Sequence, residues 1–271
     1  MSANSLRVAV LGVSGRMGRA VLSALDEAPQ TVLSGATASS GSQWIGQDAS
    51  ACAPGKVRNV VVTSDAATAV KGATVAIDFT LPAASSANLR ACVAAGCPLV
   101  IGTTGHDAAT RAEIERAAQS IPLLLSANMS LGVNLLMKLA EIAARSLDQG
   151  YDIEIFEAHH RNKKDAPSGT ALALGNSVAL GRGVNLADVA DYARHGQTGA
   201  REPGSIGFSV FRGGDVVGDH TVTFAGIGER IELTHRASDR ATFARGALRA
   251  AQWLVGKPPG LYSMQDVLGL R

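Results

Sequence analysis

From Glu157 to Ala171 the chain reads Glu-Ala-His-His-Arg-Asn-Lys-Lys-Asp-Ala-Pro-Ser-Gly-Thr-Ala, its densest gathering of groups able to move a proton or hold an anion. Histidine titrates nearest to neutral pH, so His159 could act as acid or base. Lys163 could protonate a substrate carbon or nitrogen. Ser168 and Thr170 have side chains suited to capping a helix that begins there. A capped helix start built from small residues, with Gly169 between them, is also a carboxylate site, because its amides and partial positive charge face outward. Adjacent histidines in a loop also occur as solvated or capping groups, so residue types alone leave a catalytic and a structural role open. A metal site is not expected: His159 and His160 lack a third Cys or His at ligand spacing, and His106, His195, His220 and His235 are scattered.

A second constellation lies at the first strand. Gly12-Val13-Ser14-Gly15-Arg16-Met17-Gly18 places glycines at a Gly-x-x-Gly-x-x-Gly spacing between an apolar run and a helical pattern. In that context Gly12 permits the tight turn, Gly15 lets the backbone approach a pyrophosphate, and Gly18 lets the helix pack closely on the strand. The helix start supplies amides to the anion, and Arg16 can add charge. After the second strand comes Thr37-Ala38-Ser39-Ser40, with neither the carboxylate that bonds an adenosine ribose nor an arginine for its 2′-phosphate. Nothing there repels that phosphate, and Thr37, Ser39, Ser40 and Arg16 could contact it. The expectation is that the phosphorylated cofactor is accepted at least as well as the other.

The elements that must carry these residues follow from hydrophobic period. Leu6 to Leu11 is a buried-strand pattern, and Met17, Val21 and Leu25 then recur at helical spacing from Arg16 to Glu27. Further strands are read at Thr31 to Thr37, Asn59 to Thr63, Val75 to Phe79, Leu99 to Ile101 and Pro122 to Ser126. Helices are read at Ala66 to Lys71, Ala83 to Ala95 and Ala108 to Gln119. Such alternation is the signature of a doubly wound parallel sheet. Gln43 to Lys56 reads as a surface loop. Beyond Leu131 the style changes. Leu135, Leu139, Ile142 and Leu147 mark a helix, Tyr151 to Ala158 a strand, and Thr170 to Leu180 a second helix. Three alternating segments around Phe208, Val222 and Leu233, separated by Gly213-Gly214 and Gly226 to Gly228, suggest an open antiparallel sheet with two unlike faces. Ser238 to Leu254 closes with a helix.

The 271 residues suit two modest domains. Charged residues are 18% of the chain, below the roughly 25% of an average domain, so apolar surface between subunits is a reasonable expectation. A net charge of +2, with no dense run of Lys or Arg, lacks the basic footprint of a nucleic-acid binder. There is no apolar stretch near about 20 residues and no charged-then-apolar leader between Met1 and Arg7, so a soluble cytoplasmic protein is expected, with no membrane partner. Cys52, Cys92 and Cys97 form no Cys-x-x-Cys pair and read as reduced, buried thiols.

The loop at 157–171 is similar to the signature of the 4-hydroxy-tetrahydrodipicolinate reductases. The similarity extends along the chain. It includes Gly-Arg-Met-Gly at 15–18, Ile-Asp-Phe-Thr at 77–80, Ile-Gly-Thr-Thr-Gly at 101–105 and Ala-Asn-x-Ser-x-Gly-Val-Asn at 127–134. Gly-Asp-x-Val-Gly-x-His-Thr at 214–221 and Gly-Glu-Arg at 228–230 complete it. The resemblance implies an α/β protein. A Rossmann-type doubly wound parallel sheet (1–130 and 240–271) would bind the dinucleotide. A central α/β domain (131–239) with an open mixed or antiparallel sheet would bind substrate and form a homotetramer. It implies NADPH- or NADH-dependent reduction of a small cyclic dicarboxylate, 4-hydroxy-tetrahydrodipicolinate, in lysine and diaminopimelate biosynthesis. His159 would be the acid/base residue, Lys163 the proton donor, and His160, Gly169 and Thr170 carboxylate ligands beside Ser168. Gly12, Val13, Ser14, Gly15, Arg16 and Met17 would contact the cofactor, as would Gly102, Thr103 and Thr104. Ser126, Ala127, Asn128 and Met129 complete that set, with Arg240 near the bound cofactor. The family often has an acid and an arginine where this chain has Ala38 and Ser39, and an aromatic where it has Met129. Read without the loop, the same half-chain would also suit another two-domain dehydrogenase of amino-acid metabolism (aspartate or homoserine type). A dinucleotide sensor with no turnover would need only the glycine loop.

Overall fold

The computed structural model describes residues 5–270, which fall into two compact units. One combines the chain up to Leu131 with the chain from Arg240 onward; the other is Gly132–Asp239. In chain order the first unit contributes β1 (Leu6–Leu11), α1 (Arg16–Glu27), β2 (Thr31–Thr37), β3 (Val62–Thr63), α2 (Ala66–Val70), β4 (Val75–Asp78), α3 (Pro82–Ala95), β5 (Leu99–Ile101), α4 (Ala108–Ala117) and β6 (Pro122–Leu125). The second holds α5 (Leu131–Ser146), β7 (Asp152–His159), α6 (Gly169–Arg182), α7 (Leu186–Val189), β8 (Ala190–Asp191), β9 (Ile206–Arg212), β10 (Gly218–Gly226) and β11 (Glu229–Ala237). The chain then returns to the first unit with α8 (Ala241–Leu254), β12 (Gly260–Tyr262) and α9 (Met264–Val267).

The first unit is a seven-stranded sheet in the order β12-β6-β5-β4-β1-β2-β3, parallel throughout. β1 and β4 are buried apolar runs at its centre, as strands covered on both faces must be. One face packs on Val21, Leu22 and Leu25 of α1 and on Ala247, Ala251 and Leu254 of α8. The other packs on Leu89 and Cys92 of α3 and Ile114 of α4. Strand order reverses between β1 and β4, the switch point beyond whose carboxyl ends such sheets bind ligands.

One local expectation is corrected and one short strand is added. The strand read from Asn59 pairs with β2 only over Val62–Thr63. Asn59 takes a positive φ of 53°, and the backbone of Val60 to Val62 is instead bonded to Gly46, Gln47 and Ala49. Asp48 holds this turn, accepting from Ser50, Arg58 and Val60 amides at 2.9, 3.3 and 3.0 Å. The segment Gln43–Lys56 is therefore a pinned loop. The short β12, which local period did not reveal, extends the sheet beside β6.

The second unit is a five-stranded mixed sheet in the order β11-β10-β7-β9-β8. The alternating segments do not form one antiparallel meander: β9 runs parallel to β7, and β7 separates it from β10, which is antiparallel to both its neighbours. One face buries Ile153, Ile155, Phe208, Val222 and Phe224 against Ala171, Leu174 and Val178 of α6. On α5, Leu136, Ala140 and Ala144 are buried in this core, while Leu135, Leu139 and Ile142 are exposed and Leu147 lies just past the helix end. On the opposite sheet face Phe156 and Phe211 remain accessible.

Candidate active site

In the second unit, chemistry is concentrated where β7 and β9 end and β10 begins, against the 160–168 loop. Residues two apart on a strand share a face. Glu157 and His159 of β7 therefore point together, Arg212 of β9 stands in register with His159, and His220 of β10 in register with Glu157. The Glu157 carboxylate is fully buried and saturated. Its Oε1 accepts from the Ser168 amide and Arg212 Nη2, at 2.8 and 2.7 Å. Its Oε2 accepts from Arg212 Nη1 at 2.7 Å and lies 2.5 Å from His159 Nδ1. Arg212 also donates to the Asp165 carbonyl at 2.7 Å, fastening the loop to the sheet. The bidentate fork fixes the carboxylate plane, and the carboxylate in turn fixes the imidazole.

The pattern sets the tautomer of His159. All other partners of Glu157 are donors, so Nδ1 carries the hydrogen toward Oε2 and Nε2 keeps the lone pair. Burial pushes the His159 pKa down, and the Glu157 carboxylate opposes that shift without cancelling it. For Glu157 burial acts upward, but hydrogen bonds from Arg212, His159 and the Ser168 amide outweigh it and hold the carboxyl below its ordinary value. The unit thus presents a neutral, oriented imidazole whose conjugate acid is stabilised by a fixed anion, an arrangement suited to exchanging a proton at Nε2. Gly218 matters here: a Cβ at that position would stand 3.1 Å from His159 Nε2.

His220 packs edge-on against His159, ring centroids 5.1 Å apart. Its Nε2 lies 3.2 Å from Ser168 Oγ. Burial first, then the nearby His159, pushes its pKa down to about 4. Lys163 pairs with Asp165 at 2.9 Å in the same loop. Burial raises the Asp165 pKa, yet the Lys163 hydrogen bond outweighs it and keeps the carboxyl below its usual range.

Ser168, one of the expected substrate ligands, is buried, and its Oγ caps α6 by accepting from the Ala171 amide at 3.1 Å. This cap fixes where α6 starts beside the loop. Gly169 opens α6, is exposed, and has no atom within 4 Å of where a Cβ would sit. Thr170 follows it, half-buried. The His160 amide donates to the Val216 carbonyl at 2.7 Å.

The first unit carries the other expected residues, and three of them, Gly12, Ser14 and Gly15, line a cleft of about 840 Å³. Gly12 adopts φ +90°, and its amide donates to the Thr37 carbonyl at 3.0 Å. A Cβ on Gly18 would strike the Gly12 carbonyl, so α1 approaches β1 as closely as the backbone allows. α1 begins without a side-chain cap, leaving its first turn to an incoming anion. Gly12, Ser14 and Gly15 line the cleft with Thr37, Ser39 and Ser40. These features fit a dinucleotide: a glycine cradle, an uncapped helix start and a hydroxyl-rich rim. Arg16 is exposed and is not part of the lining, and the side chains of Val13, Thr103 and Met129 are buried. The Thr103 hydroxyl turns inward to the buried Asp78 carboxylate and the Thr80 carbonyl, at 3.3 and 3.1 Å. A Cβ on Gly102 would enter the Phe79 ring. Ser126 Oγ donates to the Asn128 carbonyl at 2.8 Å, and Asn128 Oδ1 accepts from the Ser130 amide at 2.9 Å, which folds that turn. Arg240 is the residue before the first turn of α8.

Arg212 and the structural part played by His220 and Asp165 were not read from the sequence. Their partners are 55, 52 and 47 residues away, so no local spacing marks them. One signal was available: Arg212 ends an alternating apolar strand, a costly place for a cation without a buried partner.

A parallel sheet with its glycine turn at the switch point, joined in one chain to a unit built around an oriented histidine, is the architecture of a dinucleotide-dependent oxidoreductase. Sequence profiles described as "Dihydrodipicolinate reductase, N-terminus" and "Dihydrodipicolinate reductase, C-terminus" match residues 6–129 and 132–268. The 4-hydroxy-tetrahydrodipicolinate reductase of Thiobacillus denitrificans is 58% identical over 98% of this chain and 100% of that protein. That of Burkholderia thailandensis is 52% identical over 99% and 100%. The fold resembles a dipicolinate-bound dihydrodipicolinate reductase from Paenisporosarcina sp. TG-14, with a TM-score of 0.76 and 22% identity over 97% of this chain and 99% of that one. The chain belongs to the dihydrodipicolinate reductase family. Among the described residues no helix is long and apolar enough to cross a membrane.

Proposed function

We propose that this reductase converts 4-hydroxy-tetrahydrodipicolinate to tetrahydrodipicolinate, with His159 and Lys163 handling the proton. Loss of the 4-hydroxyl as water leaves a conjugated imine. One hydride and one proton then complete the reduction. Bound NADPH or NADH supplies the hydride. The chain supplies orientation and charge. His159 is set by Glu157 and Arg212 to exchange a proton at Nε2, and Lys163, held beside Asp165, donates to the reduced ring. His160, Gly169 and Thr170 bind the substrate carboxylates, using the start of α6 and its partial positive charge. The observation that carries this reading is the saturated Glu157 carboxylate, which commits a buried anion and an arginine to aiming one imidazole.

The cofactor is proposed to lie along the cleft of the first unit. Its pyrophosphate would rest on Gly12 to Met17, and its nicotinamide end would lie toward the backbones of Gly102 to Thr104 and Ser126 to Met129. Arg240 is proposed to lie near it. The oligomer is proposed to be a homotetramer closed through the exposed sheet face bearing Phe156 and Phe211. Light scattering giving a single-chain mass would overturn that. The function is tested by following oxidation of NADPH and NADH while the preceding synthase generates the unstable substrate in place. Oxidation that needs both proteins establishes the reaction. A folded protein that binds the cofactor but oxidises none breaks it.

A further inference from the structure

The first unit's cleft is lined by only two ionisable side chains, Asp65 and Arg90. They differ in what they have left to offer. Asp65 caps α2: its Oδ1 accepts from the Ala67 amide at 3.1 Å, and its Oδ2 from the Thr68 amide at 3.0 Å and the Thr68 hydroxyl at 2.5 Å. Those bonds, the Thr68 ones foremost, hold its carboxyl below the ordinary range. Its charge is spread over a helix start. Arg90 projects from the exposed side of α3, where its neighbours along the cleft wall are Ala84, Ala87 and Ala91. Among the described residues its guanidinium makes no hydrogen bond or ion pair. A long, rotamer-rich cation is thus left unpaired on a wall of alanines, within a cleft otherwise rimmed by the hydroxyls of Thr37, Ser39, Ser40 and Ser64.

We propose that Arg90 binds the 2′-phosphate on the adenosine ribose of NADPH and so sets this chain's acceptance of the phosphorylated cofactor. In a doubly wound sheet that phosphate is usually met by an arginine just after the second strand. Here that position holds Ala38 and Ser39, and Arg16 lies outside the cleft lining. Arg90 brings the missing charge from α3 instead. A guanidinium fork matches phosphate oxygens bidentately, and Ser39 and Ser40 can donate to the remaining ones. The proposal rests on reading the cleft as the dinucleotide site, so the test separates the two.

The experiment is titration calorimetry of the full chain with NADPH, NADH, 2′,5′-ADP and 5′-AMP, for the wild type, Arg90→Ala and Arg90→Lys. Loss of a bidentate charge-assisted contact should raise the Kd for NADPH and 2′,5′-ADP by about 10-fold or more, while NADH and 5′-AMP stay within about two-fold. Arg90→Lys should recover part of the loss, because it keeps the charge but not the fork. Equal weakening of all four ligands would place Arg90 on the adenine or the pyrophosphate and overturn the proposal. So would no change in any of them, or a wild type that binds NADH and not NADPH. A wild type that binds none of the four would remove the dinucleotide reading itself, and the proposal with it.

Discussion

Replacing Glu157 by Gln changes one oxygen for a nitrogen at the most tightly bonded carboxylate of the second unit, with almost no change in volume. The carboxylate accepts from four donors, whereas an amide offers one accepting end and one donating end. Of the four partners only His159 can turn acceptor, by moving its hydrogen from Nδ1 to Nε2. The amide nitrogen therefore settles where Oε2 was, facing His159, and His159 adopts the opposite tautomer. Nε2 then carries a hydrogen at rest and can no longer accept a proton. The fixed anion that favours the imidazolium is lost as well, so the His159 pKa, already lowered by burial, falls further. A hydrogen bond to a charged group is worth about 1.5–3 kcal/mol, which sets a floor of about 10- to 150-fold on the loss in kcat. The carboxylate-to-amide change in a Ser-His-Asp triad, which costs about 10⁴-fold through the same tautomer error, sets the ceiling. The assay is steady-state cofactor oxidation across pH 5.5–9, with circular dichroism to confirm folding. The expected result is a fall in kcat with little change in KM and an acidic limb displaced to lower pH, with Glu157→Asp recovering part of the activity. A folded Glu157→Gln variant within about two-fold of wild-type kcat at every pH would refute the argument that Glu157 positions His159 for proton transfer.

Three further outcomes follow from the geometry. Lys163→Ala should lose turnover while calorimetry shows unchanged dinucleotide binding, because Lys163 belongs to the second unit and lines no part of the first unit's cleft, where the dinucleotide is proposed to bind; retained turnover would remove it from the proton path. His220 has a folded-state pKa of about 4 against an ordinary value of 6.5, so the unfolded chain binds the extra proton first as pH falls, and stability is full above pH 6.5 and lost toward pH 4. Between pH 7 and pH 4.5 the loss is about 2 kcal/mol, measurable as the excess destabilisation of wild type over His220→Gln in denaturant titrations at those two pH values; parallel curves would show that the ring is solvated when charged. Gly18→Ala should cost about 1–3 kcal/mol, since its Cβ meets the Gly12 carbonyl and α1 must lift off β1. It should weaken dinucleotide binding in step, and an unchanged melting temperature would contradict the close approach.

Local features read well in advance. The glycine turn, the alternation of strand and helix through residue 125, the helix start at Ser168 and the loop rich in histidine and lysine depend on neighbours within a few positions, and the chain writes those directly. Boundaries drifted where a distant partner competed. Asn59 to Val61 has strand-like character, yet Asp48 and the loop around it take those backbone groups first. On α5 the apolar residues outnumber those the core can use. Periodicity picked out Leu135, Leu139 and Ile142, while packing buries Leu136, Ala140 and Ala144.

The amino-acid order alone was enough for the fold class, the cradle at Gly12–Gly18 and the identity of His159 and Lys163 as the groups worth watching, because residue type and short spacing carry that information. It was silent on how β9 lies beside β7, on the clamp that Arg212 places on Glu157, on the turning of Ser168 and Thr103 away from solvent, and on the convergence of Arg90 with Ser39 on one cleft. Each of these depends on strand register or on helices meeting across a sheet, contacts between residues tens of positions apart. Their energy is set by the burial and pairing of charges in three dimensions, and no one-dimensional pattern records which cation will find which carboxylate.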